Sequence, residues 1–267
     1  MISLEGKTAF ITGAARGMGA GISEVFAACG AQVVMTDVDE LVFETADKIG
    51  SPLTDVRLMD VSDEALVRET VGAVLGKYGR IDILVNDAGV MIPMDLCDMK
   101  REILDIHYHI NVCGLWHCVA AVYPQMKENG WGRIINLSSV TGPKVADPGM
   151  TAYAMSKGAV LAMTKAIAVE AAPFGITANA IMPGYIRTNM VQKTANAAEP
   201  EDPEKFFAKV SSGIPMGRMG TGREVGELAA FLASDAAGYI TGAEIVIDGG
   251  HSLPETLALT GPFAPPN

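Results

Sequence analysis

The feature that most constrains this chain is a regular alternation of short apolar runs with longer amphipathic segments, which continues almost to its end. Short apolar runs are typical of strands buried on both faces, and amphipathic segments are typical of helices that cover those faces. This order predicts parallel strands joined by right-handed helical crossovers. The predicted strands are Thr8–Thr12, Val33–Asp37, Val56–Met59, Ile81–Asn86, Arg133–Ser138, Thr177–Met182 and Glu244–Asp248. The predicted helices are Met18–Cys29, Leu41–Ile49, Asp63–Tyr78, Lys100–Asn129, Ala152–Ala172 and Arg223–Leu232.

The length of 267 residues would allow one or two domains, but no repeat, linker or change of composition divides the series. The sequence therefore predicts an α/β fold: a single doubly wound Rossmann-type domain over 1–267, with a seven-stranded parallel sheet and helices on both faces. Residues 187–219 interrupt the rhythm with a long segment rich in Pro and acidic residues, which we interpret as a loop insertion that forms a substrate lid. Residues 251–267 form a proline-broken C-terminal tail, expected along a surface or a subunit contact.

Composition excludes several classes of protein. With 49% apolar and 19% charged residues, the chain has the composition of a folded globule. Its net charge of −11 and its lack of Lys and Arg clusters argue against nucleic acid as a partner. The start lacks the pattern of a secretory signal, and no apolar stretch is long enough to span a membrane, so we expect a soluble cytoplasmic protein. His107 and His109 have no carboxylate or thiol at ligand spacing, so no metal site is predicted.

A glycine-rich turn follows the first predicted strand. Gly13, Gly17 and Gly19 lie between that strand and the first helix. Such a turn lets backbone amides approach a pyrophosphate, which then rests at the positive end of the helix dipole. The spacing Gly-x-x-x-Gly-x-Gly differs from the commoner dinucleotide fingerprint, and a tight turn without a ligand is the alternative. The position of the turn inside a βαβ unit favours a dinucleotide site.

The choice between NAD and NADP depends on two residues of opposite charge. Asp37 ends the second predicted strand, 18 residues after Gly19, where a carboxylate can bind both ribose hydroxyls of NAD and repel the 2′-phosphate of NADP. Arg16, in the glycine turn, could pair with that phosphate instead. We predict NAD, with NADP as the less favoured cofactor, because a carboxylate at the phosphate position is a direct repulsion.

Two tyrosines are followed by a lysine four residues later, which on a helix places a phenol and an ammonium on one face. The pairs are Tyr153 with Lys157 and Tyr123 with Lys127. A nearby cation favours ionisation of a phenol, whose reference pKa of about 10 makes it a poor acid or base at neutral pH. Only Tyr153 follows a predicted strand that ends in two hydroxyls, Ser138–Ser139, and strand ends in a parallel sheet converge on the ligand crevice. Tyr153 is the catalytic candidate and Tyr123 the structural one.

The combined motifs resemble the short-chain dehydrogenase/reductase family over about residues 5 to 250. The resemblance is carried by the glycine turn, the Asn86–Gly89 turn, Asn111, Ser139, Tyr153 with Lys157, and Pro183-Gly184. Within that family, three stretches are similar to the bacterial UcpA-type oxidoreductases: Ser138–Gly142, Val145–Gly149 and Val225–Ser234.

The resemblance implies an oxidoreductase that interconverts a secondary alcohol and a ketone with a nicotinamide cofactor. It implies that Tyr153 is the general acid/base and that Lys157 lowers its pKa and holds the nicotinamide ribose. Ser139 would bind the substrate oxygen, and Asn111 would position a water that relays protons from Lys157. The implied cofactor residues are Gly13, Arg16, Gly17, Met18, Gly19, Asp37, Asp60, Val61, Asn86, Ala88, Gly89, Tyr153, Lys157, Pro183, Gly184, Ile186 and Thr188. The resemblance also suggests a homotetramer formed through the helices Lys100–Asn129 and Ala152–Ala172.

The chain departs from the family pattern at two places. Asp87 replaces the second Asn of the usual Asn-Asn-Ala-Gly turn, which changes the hydrogen bonding available there. The span from Ser139 to Tyr153 is one residue longer than usual, and we assign the extra residue to the Pro143–Thr151 loop, where it would reshape the substrate wall. Ser138 is the weaker alternative for the catalytic serine.

Several methionines fall on segments expected to border the nicotinamide. Methionine is flexible and polarisable, so it suits irregular apolar ligands, although packing in the core is the alternative. The predicted substrate pocket consists of Met91, Val140, Met150, Tyr185 and Met190, with Met94 nearby. It predicts an apolar or alicyclic alcohol or its ketone as the small-molecule substrate, with a hydroxysteroid as one example. The alternative functions are an NAD-binding sensor without turnover and an isomerase or lyase with tightly held NAD.

Overall fold

Seven parallel strands form one sheet at the centre of the molecule. The computed structural model describes residues 2–254, except for the side chains of residues 189, 190, 193, 194 and 197. The strands follow the order β3-β2-β1-β4-β5-β6-β7, and every neighbouring pair is parallel. Their bounds are β1 Thr8–Thr12, β2 Gln32–Asp37, β3 Thr54–Leu58, β4 Ile83–Asn86, β5 Gly132–Leu137, β6 Ile176–Pro183 and β7 Glu244–Ile247. This confirms the predicted fold class, a doubly wound parallel sheet with helices.

Nine α-helices accompany the sheet in the described part of the chain. They are α1 Gly17–Ala28, α2 Leu41–Ile49, α3 Glu64–Tyr78, α4 Arg101–His107, α5 Leu115–Asn129, α6 Thr151–Ala171, α7 Asn189–Ala198, α8 Pro203–Ser212 and α9 Gly222–Ala233. The long helix predicted over Lys100–Asn129 is not continuous, because a π-helical turn at Tyr108–Gly114 separates α4 from α5. Such turns widen the backbone spiral by one residue and are frequently found at functional sites.

The sheet is buried on both faces, which explains its short apolar strands. Phe10 and Ile11 are neighbours on β1 and both are fully buried. Because successive side chains of a strand point to opposite faces, they join two different core layers. The strands β1, β4, β5 and β6 are buried along their whole length. This double burial fixes the sheet as a rigid support for the loops at its ends.

The helices α1 and α9 approach each other at glycines. A Cβ atom at Gly21 would lie 2.3 Å from the carbonyl carbon of Gly222, and one at Gly226 would lie 2.7 Å from the Gly21 oxygen. These distances are too short for any side chain, so the two helix backbones are in direct contact. Some of the 29 glycines of the chain therefore serve helix packing next to the glycine turn that precedes α1.

The segment 187–219 is helical rather than a long loop, which corrects the sequence expectation. Thr188 caps α7 by accepting a hydrogen bond from the Val191 amide at 3.4 Å, and Pro203 occupies the first turn of α8, where its missing N–H costs nothing. The apolar faces of these helices form a separate small core with Tyr185. The lid role of this segment stays a prediction. Most of the predicted tail, residues 255–267, lies outside the described residues.

None of the helices within residues 2–254 combines the length and the apolar character that crossing a membrane would need.

Candidate functional site

The predicted site residues gather at the carboxyl edge of the sheet. The strand order reverses between β1 and β4, and in such sheets the crevice outside the strand ends at this point binds ligands. The segments that reach this edge are the glycine turn after β1, Asp37 at the end of β2, Asn86–Gly89 after β4, Ser138–Ser139 after β5 and Pro183-Gly184 after β6. Residues far apart in the chain are therefore brought to one side of the molecule.

The glycine turn packs directly against the turn that follows β4. A Cβ atom at Gly13 would lie 2.7 Å from the Ala88 nitrogen, and one at Gly19 would lie 2.2 Å from the Gly13 oxygen. Gly13 and Gly17 also have positive φ angles of 71° and 63°, which favour glycine. Helix α1 begins at Gly17, and no side chain caps its first turn. Its free amides and positive dipole fit the diphosphate of a dinucleotide cofactor.

Asp37 and Arg16 both have partners within the protein. The Asp37 carboxylate accepts hydrogen bonds from the Ala15 and Asp39 amides, each at 3.0 Å. This anchors the acidic group beside the glycine turn. Arg16 forms an ion pair with Asp39. The one basic residue of the turn is thus paired with a carboxylate of its own chain.

The catalytic candidates Ser139, Tyr153 and Lys157 lie where β5 meets α6. Lys157 is 6% exposed and Ser139 is 8% exposed. The Lys157 Nζ atom donates a hydrogen bond to the Leu137 carbonyl at 2.8 Å and lies 5.7 Å from the centroid of the Tyr153 ring. The Ser139 hydroxyl accepts a hydrogen bond from the Thr141 amide at 3.0 Å. The phenol, the ammonium and the hydroxyl therefore lie close together, and the ammonium and the hydroxyl are buried.

The proton affinities of this group differ from the sequence expectation. Burial raises the pKa of Tyr153; the Ser139 hydroxyl opposes this rise and the Asp87 charge adds to it. Burial also lowers the pKa of Lys157 to about 8, although Asp87 opposes that shift. The resemblance implies that Lys157 lowers the Tyr153 pKa, but desolvation of the phenol dominates in this structure. The phenol is protonated at neutral pH in the state described.

Asn111 lies in the π-helical turn between α4 and α5 and is 2% exposed. Its Oδ1 atom accepts a hydrogen bond from the Val90 amide at 2.8 Å, and its Nδ2 atom donates to the Val90 carbonyl at 2.9 Å. The same amide donates to the Ser156 hydroxyl at 2.9 Å, and Ser156 in turn donates to the Tyr153 carbonyl at 2.7 Å. Asn111 thus joins the turn after β4 to the helix that carries Tyr153 and Lys157.

Two residues of this edge were not singled out as site residues. The Thr12 hydroxyl accepts hydrogen bonds from the Asp87 and Ala88 amides, both at 3.2 Å, and so holds the turn after β4. His107 accepts a hydrogen bond from the Ile92 amide at 3.1 Å, and its ring lies edge-on to Tyr153 at 6.4 Å between centroids. Both are polar residues at the ends of elements, which is the only signal in the sequence.

Among residues 2–254 no cluster of three or more His, Cys, Asp or Glu side chains is arranged to hold a metal ion.

The remaining predicted cofactor residues have more varied surroundings. Asn86 is 4% exposed, and its amide donates to the Asn136 oxygen at 2.9 Å, so it belongs to a buried polar network under the crevice. The Asp60 carboxylate accepts from the Ser62 amide at 2.8 Å and is exposed. The Val61 side chain is buried and faces Gly114, where a Cβ atom would lie 2.5 Å away.

At the other end of the crevice, close contacts again require small residues. A Cβ atom at Gly184 would lie 2.6 Å from the Cβ atom of Asp248. Pro183 ends β6, and its carbonyl accepts from the Val140 amide at 3.1 Å. Ile186 is buried, and Thr188 caps α7.

The predicted substrate residues are less uniform than the sequence suggests. Val140 is 3% exposed and packs against a small core cluster with Leu161, Ala180 and Met182. Tyr185 is half-buried and lies edge-on to His251 at 4.8 Å between ring centroids. Met91 and Met150 are half-buried, and the Met190 side chain lies outside the described residues.

Comparisons with known proteins agree with this geometry. The sequence profile of the family described as Enoyl-(Acyl carrier protein) reductase matches residues 13–252. Oxidoreductase UcpA of Salmonella typhimurium is 47% identical over 97% of this chain and 99% of its own length. The 3-oxoacyl-acyl-carrier-protein reductase FabG of Thermotoga maritima is 41% identical over 92% of this chain and 98% of its own. A crystal structure of a short-chain type dehydrogenase/reductase from Mycobacterium marinum superposes with a TM-score of 0.87 at 35% identity, and covers 95% of this chain and 98% of that one.

The match to the family profile spans nearly the whole sheet, from the glycine turn to the residues after β7. The identities of 47% and 41% extend over almost the full length of both chains in each comparison. Members of this group are oxidoreductases that use a nicotinamide cofactor. The chain belongs to the short-chain dehydrogenase/reductase family of oxidoreductases.

Proposed function

We propose that this protein is an NAD-dependent dehydrogenase/reductase that interconverts a secondary alcohol and a ketone, with Tyr153 as the general acid/base. The observation that carries the proposal is that the Tyr153 phenol lies beside the buried Ser139 hydroxyl, while the buried Lys157 Nζ atom lies 5.7 Å from the centroid of the Tyr153 ring. A titratable group whose pKa is perturbed by burial and by a charged neighbour, at the carboxyl edge of a nucleotide-binding sheet, is typical of a proton-transfer residue.

The proposed reaction divides between the cofactor and the chain. A bound nicotinamide would accept or supply the hydride, with its diphosphate at the glycine turn and its adenosine ribose at Asp37. Tyr153 would take the proton from the alcohol in oxidation and return it to the ketone in reduction. Ser139 would donate a hydrogen bond to the same substrate oxygen, and Asn111 would position a water that relays protons between Lys157 and solvent. The protein groups therefore transfer the proton at the substrate oxygen, and the cofactor transfers the hydride.

The pKa of Tyr153 determines how kcat/KM for oxidation and for reduction should depend on pH. Alcohol oxidation requires the phenolate, and burial raises the phenol pKa above its ordinary value. We therefore expect kcat/KM for oxidation to increase with pH through the neutral range and beyond. Reduction requires the protonated phenol, so its kcat/KM stays flat over the same range. The two pH profiles, measured with one substrate pair, test this assignment.

The central experiment screens secondary alcohols and ketones with each nicotinamide cofactor and follows the reduced cofactor. Tyr153→Phe removes the proton-transfer group, and we expect turnover to fall by at least about a hundredfold. Tyr123→Phe is the matched control, because Tyr123 has a lysine at the same spacing and its hydroxyl only donates to the Glu170 carbonyl at 3.4 Å. Near wild-type turnover in Tyr153→Phe contradicts the assignment. Tight NAD binding without any turnover in the screen favours a sensor instead.

Preference for NAD is proposed from charge. The Asp37 carboxylate is anchored by two amides, so it cannot turn away from a 2′-phosphate without losing both bonds. Arg16, the residue that could favour NADP, is paired with Asp39. Asp37→Ser is expected to raise kcat/KM with NADP relative to NAD by about tenfold or more. Glu40→Gln removes an exposed carboxylate three residues away and should leave the ratio unchanged. Equal efficiency of the wild type with both cofactors contradicts the preference.

For the substrate we propose an apolar or alicyclic alcohol or ketone. The half-buried side chains near the crevice include Met91, Met150 and Tyr185, which offer apolar and polarisable contacts around the Ser139 and Tyr153 hydroxyls. A hydroxysteroid is one member of this class. Exclusive turnover of small charged hydroxy acids in the screen contradicts the proposal.

We also propose a homotetramer that uses the surface of α4, α5 and α6. Large apolar side chains on these helices are exposed in the single chain, and an exposed apolar patch of this kind favours a subunit contact. They are Ile106, Trp116, Met155 and Val169, with Tyr108 of the π-helical turn beside them. Size-exclusion chromatography coupled to light scattering measures the number of subunits. The double variant Trp116→Glu, Met155→Glu is expected to form a smaller assembly than the wild type.

A further inference from the structure

Asp87 places a carboxyl group directly behind the glycine turn. A Cβ atom at Gly19 would lie 2.9 Å from the Asp87 Oδ2 atom, so the carboxyl group lies against the first turn of α1. Its other oxygen, Oδ1, is buried and has no hydrogen-bond partner. The backbone of Asp87 is held by Thr12, so the side chain has a fixed origin. An unpartnered buried carboxylate oxygen costs free energy, and protonation lowers that cost because a neutral group loses less hydration than a charged one.

The charges around Asp87 come from three elements. Lys157 on α6 is the one cation that acts on its carboxyl group, and the Gly19 amide on α1 also favours the charged form. Asp37 at the end of β2 is an anion and disfavours it. The Asp87 charge also raises the pKa of Tyr153 on α6. Burial outweighs the favourable partners and raises the pKa of Asp87 to about 7.

The proposed cofactor site brings a further anion to the same place. The free amides of the first turn of α1 are the natural position for a diphosphate, and Asp87 faces the Gly19 amide from behind. Two anionic groups that share one helix N-terminus repel each other across a medium of low dielectric constant. Protonation of Asp87 relieves this repulsion, and the diphosphate cannot take up a proton near neutral pH.

We propose that Asp87 is a positioning residue of the cofactor site whose carboxyl group is protonated when a dinucleotide occupies the glycine turn, so that cofactor binding takes up one proton. This inference rests on the proposed cofactor site. The Asn that commonly stands at this position of the family turn cannot carry a charge, so the coupling is specific to a chain with Asp here. Between pH 6 and pH 8 the apo protein changes from mostly protonated to mostly ionised at Asp87. Affinity for the cofactor falls over the same interval, by up to about tenfold.

The test measures NADH binding to the full-length protein by calorimetry and by NADH fluorescence at pH 6, 7 and 8. Calorimetry at pH 7.5 in buffers with different ionisation enthalpies counts the protons that are taken up. We expect about half a proton or more at pH 7.5 and close to none at pH 6. Asp87→Asn keeps the size of the side chain and removes its charge. The variant should bind NADH at pH 8 with a Kd several-fold lower than that of the wild type, and at pH 6 within about twofold of it.

Two controls separate this proposal from its alternatives. Glu69→Gln removes an exposed carboxylate on α3 and should keep the wild-type proton uptake. Uptake that persists undiminished in Asp87→Asn belongs to another group, such as Lys157, and overturns the proposal. NADH binding with a Kd that stays constant from pH 6 to pH 8 in the wild type also overturns it, but leaves the cofactor site intact. Failure of NADH to bind at any pH overturns the proposed function itself. The calorimetric count on the wild type needs no variant, and a count near zero at pH 7.5 overturns the proposal even where Asp87→Asn misfolds.

Discussion

Asn111→Ala is expected to destabilise the protein by about 2 to 3 kcal/mol. The side chain is 2% exposed and makes three hydrogen bonds, two of them to the Val90 amide and carbonyl. Each backbone group that loses its partner in a buried site costs about 1 to 3 kcal/mol. Val90 is only half-buried, so water can restore part of the loss, and each of its two groups is expected to cost about 1 kcal/mol, the lower end of that range. The third bond, to Ser156, adds about 1 kcal/mol at most.

The same substitution should also lower kcat/KM. Asn111→Ala leaves the Val90 backbone and the Ser156 hydroxyl without the side chain that links them. The segment after β4 is then no longer bonded to the helix that carries Lys157. Ser156→Ala alone removes the third bond and the bond from Ser156 to the Tyr153 carbonyl, and it leaves both bonds between Asn111 and Val90 in place. In the double variant the two losses should not add, with a coupling energy of about 1 kcal/mol, because the shared bond is lost once.

Urea unfolding at fixed protein concentration, followed by tryptophan fluorescence, measures these differences. His109→Ala is the control in the same π-helical turn, since its side chain is exposed, and it should stay within about 0.5 kcal/mol of the wild type. If Asn111→Ala unfolds within about 0.5 kcal/mol of the wild type with an unchanged m-value, the hydrogen bonds assigned to Asn111 do not hold the turn. If the two losses add fully in the double variant, the bond between Asn111 and Ser156 does not contribute to stability.

Two further predictions concern single positions. Gly19→Ala is expected to displace the glycine turn and to abolish NADH binding, because a Cβ atom there would lie 2.2 Å from the Gly13 oxygen. A Cβ atom at Gly72 on α3 would meet nothing within 4 Å. Gly72→Ala should instead stabilise the protein by about 0.5 to 1 kcal/mol in the same unfolding assay. Glu224 closes a capping box with Thr221 at the start of α9, and Arg218 is the main cause that lowers its pKa to about 2 from the ordinary 4.5. Its carboxylate therefore stabilises the fold above about pH 4.5 and loses this effect as the pH falls towards 2. Thermal unfolding should show Glu224→Gln destabilised by about 1 kcal/mol at pH 7, with the gap to the wild type narrowing at pH 3; a constant gap at both pH values contradicts the assignment.

Much of the fold could be predicted because the strands are buried on both faces. The run Thr8–Thr12 is recognisable as a strand in the sequence alone, since no polar face interrupts it. Helix α2 has the bounds predicted for it, Leu41–Ile49, because a left-handed glycine, Gly50, ends it. The helices α7 and α8 could not be predicted in this way. Their apolar residues pack mainly on one another and on Tyr185, and that partnership does not show in a short stretch of sequence.

The candidate site divides in the same manner. The sequence by itself determined which residue types stand after each strand: glycines after β1, an acid at the end of β2, hydroxyls after β5, and a phenol four residues before an ammonium. Such positions follow from periodicity and spacing, which are local properties of the chain. Only the tertiary structure decided that the Tyr153 pKa is raised and that Asn111 lies in a π-helical turn. It also decided that Asp87 faces the Gly19 amide from behind. Burial and electrostatic interaction depend on which distant segments meet, and no spacing along the sequence encodes the dielectric surroundings of a buried charge.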